Sequence, residues 1–238
     1  MAEPRRGCYA RTGTTRRTLL WLGPLAASLL LRAELLAAPD RPSLNEVLSG
    51  VELRYNRLAT LQVDFQQTQT YSGRPRFEEQ GTLYLRRPSK MRWEYSRPAG
   101  KLLVGDGELL YYYNPRTNQV RQVKPMETGD LRAPLAFLLG RLRFRRQFRN
   151  LRLENVDGRT LLAADGRSGK EAYGRVEFTY DEADFRLMHL RILGQDDSIT
   201  TFHFDDEIVN PRLDPALFEF VPPAGADLLE EAGLGGSR

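Results

Sequence analysis

Few side chains in this 238-residue chain are equipped for chemistry. There are two histidines, His189 and His203, and a single cysteine, Cys8. One thiol at the extreme N-terminus excludes a disulfide framework, an iron–sulfur cluster, Cys-ligated zinc and a cysteine nucleophile in the rest of the chain. The histidines sit in runs of alternating polarity without a nucleophile elbow around them, so they read as ordinary sheet residues. Two acidic groups, Asp196-Asp197 and Asp205-Asp206-Glu207, have the composition for metal binding or acid–base work. Solvation of loops and strand ends is the simpler account of both. No phosphate-cradling or dinucleotide glycine pattern occurs. No catalytic residue, metal ligand set or cofactor is therefore assigned. The chemistry that remains is binding, and the surface available for it is apolar.

Charge points the same way. Lys and Arg number 35 against 31 Asp and Glu, a net charge of +4. Residues 1–38 hold six arginines and two glutamates, so the other 200 residues carry 29 charges of each sign. The basic excess belongs to the N-terminus alone. A neutral remainder argues against nucleic acid as a partner.

That N-terminus has the layout of an export signal: an Arg-rich stretch to Arg17, an apolar run from Thr18 to Leu31, and the small residues Ala37-Ala38 before Pro39. The apolar run of 14 residues is shorter than the ~20 of a membrane-spanning helix. Gly23-Pro24 interrupts it and Arg32-Ala33-Glu34 follows it directly. Residues 1–38 are expected to be cleaved on export. Thr15-Arg16-Arg17-Thr18-Leu19-Leu20 resembles a twin-arginine signal, and the general secretory route fits as well. No cysteine follows the apolar run, so lipid modification at that point is not expected.

The elements behind the binding surface begin at Ser43. Ser43-Leu44-Asn45-Glu46 reads as a capping box, and Leu44, Val47, Leu48, Val51, Tyr55 and Leu58 continue at helical spacing. The period then changes to two. Leu61, Val63 and Phe65 alternate with polar residues, as do Leu83 and Leu85, then Met91, Trp93 and Tyr95, then Val176, Phe178 and Tyr180. Such alternation gives one buried and one wetted face, the habit of antiparallel sheet. Ser72-Gly73, Asp106-Gly107, Asp157-Gly158 and similar pairs punctuate the runs. The expected fold is mainly β with some α, with about ten to eleven antiparallel strands in a sheet that curls. Residues 39–225 form one domain and 226–238, rich in glycine, a flexible tail. Ala133 to Gly140 is the one strongly apolar helical patch between strands, and Leu142 to Arg149 is a basic stretch read as a solvated edge.

Three stretches carry a resemblance. They are Gln80-Gly81-Thr82-Leu83-Tyr84-Leu85-Arg86-Arg87-Pro88 continuing through Met91-Arg92-Trp93-Glu94-Tyr95, then Leu103 to Pro115, and Phe218-Glu219-Phe220-Val221-Pro222-Pro223. With the leading helix and Thr60 to Gln67, they resemble the periplasmic outer-membrane lipoprotein carrier family, LolA, over most of residues 43–223. The resemblance implies an incomplete, half-open antiparallel β-barrel with a helical lid over a hydrophobic cavity. It implies a monomeric chaperone whose partners are acylated lipoproteins, an inner-membrane ABC transporter that loads it and an outer-membrane receptor that unloads it. Phe65, Leu83, Leu85, Met91, Trp93, Tyr95 and Val104 would line the acyl-chain cavity. Leu135, Phe137, Leu138 and Leu139 would form the lid, and Arg87 would gate it by hydrogen bonds to lid carbonyls. By strand parity Arg87 shares a face with Leu83 and Leu85, a costly place for a charge without partners. Two other readings stand beside this one: a carrier or sensor for another lipid on the same half-barrel, and a secreted hydrolase using the paired carboxylates.

Overall fold

The computed structural model describes residues 41–123, 142–167, 171 and 173–230. The expected export signal and lid residues lie outside these.

Helix α1 (Leu44–Asn56) opens the fold. The Ser43 Oγ accepts from the Glu46 backbone N–H, and the Glu46 carboxylate accepts from the Ser43 N–H at 2.7 Å, so both halves of the capping box are made. Val47, Leu48, Val51 and Tyr55 form its buried stripe, each worth roughly 1.5–3 kcal/mol as a removed apolar side chain. Gly50 lies on this helix because a Cβ there would stand 2.4 Å from the Phe185 ring.

Twelve strands follow in one sheet: β1 (Thr60–Tyr71), β2 (Arg74–Arg86), β3 (Lys90–Arg97), β4 (Leu102–Gly105), β5 (Leu110–Asn114), β6 (Gln119–Val123), β7 (Phe148–Val156), β8 (Arg159–Gly166), β9 (Tyr173–Tyr180), β10 (Leu187–Gly194), β11 (Ser198–Val209) and β12 (Asp227–Glu230). The spatial order is β12-β6-β5-β4-β3-β2-β1-β11-β10-β9-β8-β7. The two ends, β12 and β7, are not paired with each other, so the sheet is open. Two hairpins turn on residue pairs with positive φ at both positions, Ser72-Gly73 (46° and 75°) and Asp157-Gly158 (50° and 79°). That is the turn whose twist matches antiparallel strands, and glycine takes its second position without strain.

Among the described residues the sheet has twelve strands, beside the ten to eleven expected. Two expectations are corrected here. Asp227–Glu230, expected in the flexible tail, instead pairs in parallel with β6, and Asn118 holds the approach by donating to the Gly225 carbonyl. The basic stretch is not uniformly solvated: Leu142, Phe144 and Phe148 are buried while Arg145, Arg146 and Arg149 are exposed. Its one-turn helix α2 (Phe144–Gln147) leads into edge strand β7.

The inner face of the sheet carries the core. β1 pairs with β2 in a register that sets Leu61 across from Leu85, Val63 from Leu83 and Phe65 from Gly81. β3 continues the rows with Met91, Trp93 and Tyr95. A Cβ at Gly81 would lie 2.0 Å from the Glu94 carbonyl oxygen, so only glycine fits there. Phe65 fills the space opposite, meeting Trp93 and Tyr95 edge-on at 4.7 and 5.2 Å between centroids. The outer face is a ladder of alternating charge. Glu154 bridges Arg152 and Arg175, and Glu177 bridges Arg175 and Arg191. Arg175–Glu154 and Arg191–Glu177 join different strands, while Arg152–Glu154 and Arg175–Glu177 lie along one strand.

Candidate functional site

Phe65, Leu83, Leu85, Met91, Trp93 and Tyr95 come together in one buried apolar cluster with Val47, Val51 and Tyr55 of α1 and with Phe178, Leu190 and Phe202 from the far strands. Trp93 reaches across to Phe202 at 5.7 Å. Val104 does not join them. Trp93 is paired with Leu103, which puts Leu103 on the inner face and Val104 with Arg92 on the outer one. Val104 is buried there because the chain after β11 folds back over that side: a 3-10 turn (Pro215–Phe218) buries Phe218, and Arg92 donates to the Leu217 carbonyl. The expected place of Val104 on the inner face is corrected: Leu103 takes that position beside Trp93. Leu135, Phe137, Leu138 and Leu139 lie outside the described residues.

The C-terminal end of α1 is fixed over this face by polar contacts. In the last turn of the helix Tyr55 O accepts from the Leu58 N–H at 3.3 Å and, with its remaining lone pair, from Arg87 Nη2 at 2.8 Å. Burial pushes the Arg87 pKa down, but a guanidinium stays charged in proteins. Arg54 pairs with Asp184 and Glu207. The Tyr55 hydroxyl donates to Glu207 Oε2 at 2.8 Å and accepts from the Leu187 N–H at 2.9 Å. Desolvation, reinforced by the Glu207 charge, raises the Tyr55 pKa, so the phenol stays protonated as a donor. The Glu207 side chain is only 4% exposed, and sequence reading placed it in a solvated acidic run. A bulge against β1 and a positive φ of 51° at Asp206 break the strand parity and turn it inward. Asn56 adds reciprocal bonds to the Leu142 backbone, and Glu52 accepts from the Phe144 N–H.

Two clefts flank Tyr55. One, with about 10 Å³ of free volume, is lined by Tyr55, Leu58, Ala59, Thr60, Leu61, Leu85 and Arg87. The other, also of about 10 Å³, is lined by Tyr55, Leu61, Val63, Leu83, Leu187, Phe204 and Glu207. Sites for drug-sized ligands take ~300–1,000 Å³, so neither cleft admits one in this arrangement.

His189 and His203 are cross-strand partners 4.3 Å apart between ring centroids, on the face opposite Leu190 and Phe202. Among the described residues no group of three or more His, Cys, Asp or Glu side chains is placed to hold a metal. Burial, then the neighbouring His203 and Arg159, lower the His189 pKa. A histidine with a folded pKa below its unfolded value of ~6.5 stabilises the fold fully above that value. The contribution is lost as pH falls through ~6.5 toward the folded pKa. Urea midpoints measured from pH 7.5 to 5 should decline, and His189→Gln should flatten that slope; an unchanged slope would remove His189 as its source.

A single open sheet with its apolar side inward and a latched helix across it defines a half-barrel of the binding type. Residues 56–221 match the family model described as outer membrane lipoprotein carrier protein LolA, and the chain belongs to that family. It is 32% identical over 174 residues to an outer-membrane lipoprotein carrier protein of Dechloromonas aromatica, covering 72% of this chain and 82% of the relative. A protein of the same description from Nitrosomonas europaea is 28% identical over 205 residues, covering 85% and 97%. Among solved structures, an uncharacterized conserved protein from Thermus thermophilus superposes with a TM-score of 0.49 at 18% identity, covering 79% of this chain and 99% of that one.

Proposed function

We propose that the chain, after removal of its export signal, is a periplasmic carrier that shields lipoprotein acyl chains between the inner and the outer membrane. It receives them from an ABC transporter and yields them to a receptor. The observation that carries this reading is the continuous inner surface of Phe65, Leu83, Leu85, Met91, Trp93 and Tyr95 beneath a helix held at one end by polar bonds. Each CH₂ removed from water is worth ~0.8 kcal/mol, so acyl chains do not cross an aqueous compartment unshielded. A carrier must also let go. The helix supplies the counterweight: every contact that returns α1 to the sheet competes with bound lipid for the same surface, so closing favours release. No covalent step is needed.

Native mass spectrometry of the protein recovered from periplasm tests the assignment. Co-purified triacylated protein is expected. Free lipid alone would favour the lipid-sensor reading, and an unliganded chain with hydrolytic activity would overturn both.

A further inference from the structure

The inner face is not apolar along its whole length. Following the rows from Leu61 through Val63 and Phe65, the next inward residue of β1 is Gln67, paired with Glu79 of β2. Six residues of strand separate Leu61 from Gln67, about 20 Å. Glu79 accepts from the Lys101 ammonium with both oxygens, and the two side chains are 11% and 8% exposed. The ammonium stands 4.3 Å from the centre of the Tyr95 ring, with Tyr112 and Phe77 at 5.6 and 5.9 Å. Gln67 is 5% exposed, and its Oε1 is buried without a hydrogen-bond partner. Two residues beyond Glu79, Phe77 is 37% exposed, which puts this polar patch at the rim of the inner face.

A buried acceptor left unpaired costs stability, and proteins tolerate such violations chiefly at functional sites. The surrounding charges narrow what it is kept for. Glu79 and Lys101 offset one another's charge, and a carboxylate or phosphate arriving there would meet Glu79. A neutral group with an N–H to donate suits Gln67 Oε1. The face therefore runs from an apolar end under α1 to a neutral, hydrogen-bonding end at the rim, the same order as in an amphiphile with an amide-bearing head.

We infer that Gln67, beside the Glu79–Lys101 pair, is a subsite for an amide N–H in the head of the carried molecule, whether the N-acyl linkage or the peptide backbone next to it. The inference rests on the carrier reading and adds a preference for head chemistry to it.

The test uses the mature chain and three synthetic probes that displace an apolar fluorophore. They are an N-acylated dipalmitoyl-S-glyceryl-cysteinyl peptide, the same peptide with a free amino terminus, and dipalmitoylglycerol, which has no N–H. The wild-type protein is expected to bind the peptides at least tenfold more tightly than dipalmitoylglycerol, and Gln67→Leu to bring that ratio close to one. A tenfold gap for the N-acylated peptide alone assigns the N–H to the acyl linkage; an equal gap for both assigns it to the peptide backbone. Gln67→Leu should unfold at the same or a higher temperature than the wild type, which separates a lost subsite from a damaged fold. A wild-type ratio near one, or a ratio retained in Gln67→Leu, overturns the subsite and leaves the carrier reading standing. Failure of all three probes to bind overturns the carrier reading itself.

Discussion

Glu79→Leu is expected to destabilise the fold by about 3–5 kcal/mol, the usual consequence of stripping one partner from a buried ion pair. The reason is what stays behind. The Lys101 side chain is 8% exposed and loses the carboxylate that accepts two short hydrogen bonds from it. The Tyr95 ring face at 4.3 Å offsets part of the loss, but a desolvated cation–π contact is worth only ~2 kcal/mol, below the several kcal/mol of an ammonium kept from water. Against a typical total stability of ~5–15 kcal/mol, one substitution takes a large share. Glu79→Leu combined with Lys101→Met should recover most of it, because apolar groups of similar volume replace the pair as a whole. Urea unfolding of the single and double variants gives the comparison. A loss below about 1 kcal/mol in the single variant would mean that the pair behaves as a solvent-screened surface bridge, and the neutral platform proposed beside Gln67 would lose its basis.

Much of this architecture is legible in the sequence because one face of each strand is wet. Leu61-Val63-Phe65, Leu83-Leu85 and Met91-Trp93-Tyr95 alternate cleanly, and their burial follows the same parity. The capping box at Ser43 and the Ser72-Gly73 and Asp157-Gly158 turns are local signals, and local structure honours them. Parity fails where both faces are covered. In β4 the outer side lies under the returning chain, so Leu103, Val104 and Gly105 are all buried and no alternation marks which side Val104 takes. It fails again at a bulge, where Asp206 flips the register and sends Glu207 to Arg54 and Tyr55. β12 gives no signal at all: Leu228 and Leu229 remain exposed, and the strand is held by backbone pairing to β6. The polar rim was within reach of parity, since Gln67 follows Phe65 and Glu79 precedes Gly81 on the same faces. Lys101, just after the Pro98-Ala99-Gly100 turn, has no such neighbour pattern, and its burial depends on contacts made across the sheet.

The helix end gives the other large effect. Under the carrier reading, Arg87→Leu is expected to hold cargo and slow its transfer to acceptor membranes or receptor by at least tenfold. Arg87 Nη2 donates to Tyr55 O in the last turn of α1, where a cation also meets the negative end of the helix dipole. A hydrogen bond to a charged group is worth ~1.5–3 kcal/mol, and each 1.4 kcal/mol is tenfold in an equilibrium. Its loss biases the helix toward leaving the sheet, which is the arrangement that cargo favours. Glu207→Gln should act in the same direction, because Glu207 holds Arg54 and the Tyr55 hydroxyl in that same turn. The two substitutions should not add. Both release one structural unit, so a double-mutant cycle on the transfer rate should give a coupling energy above ~0.5 kcal/mol. Strict additivity would mean that Arg87 and Glu207 serve separate purposes. Transfer at the wild-type rate in Arg87→Leu, with cargo loaded to the same level, would remove Arg87 from the closing of the helix.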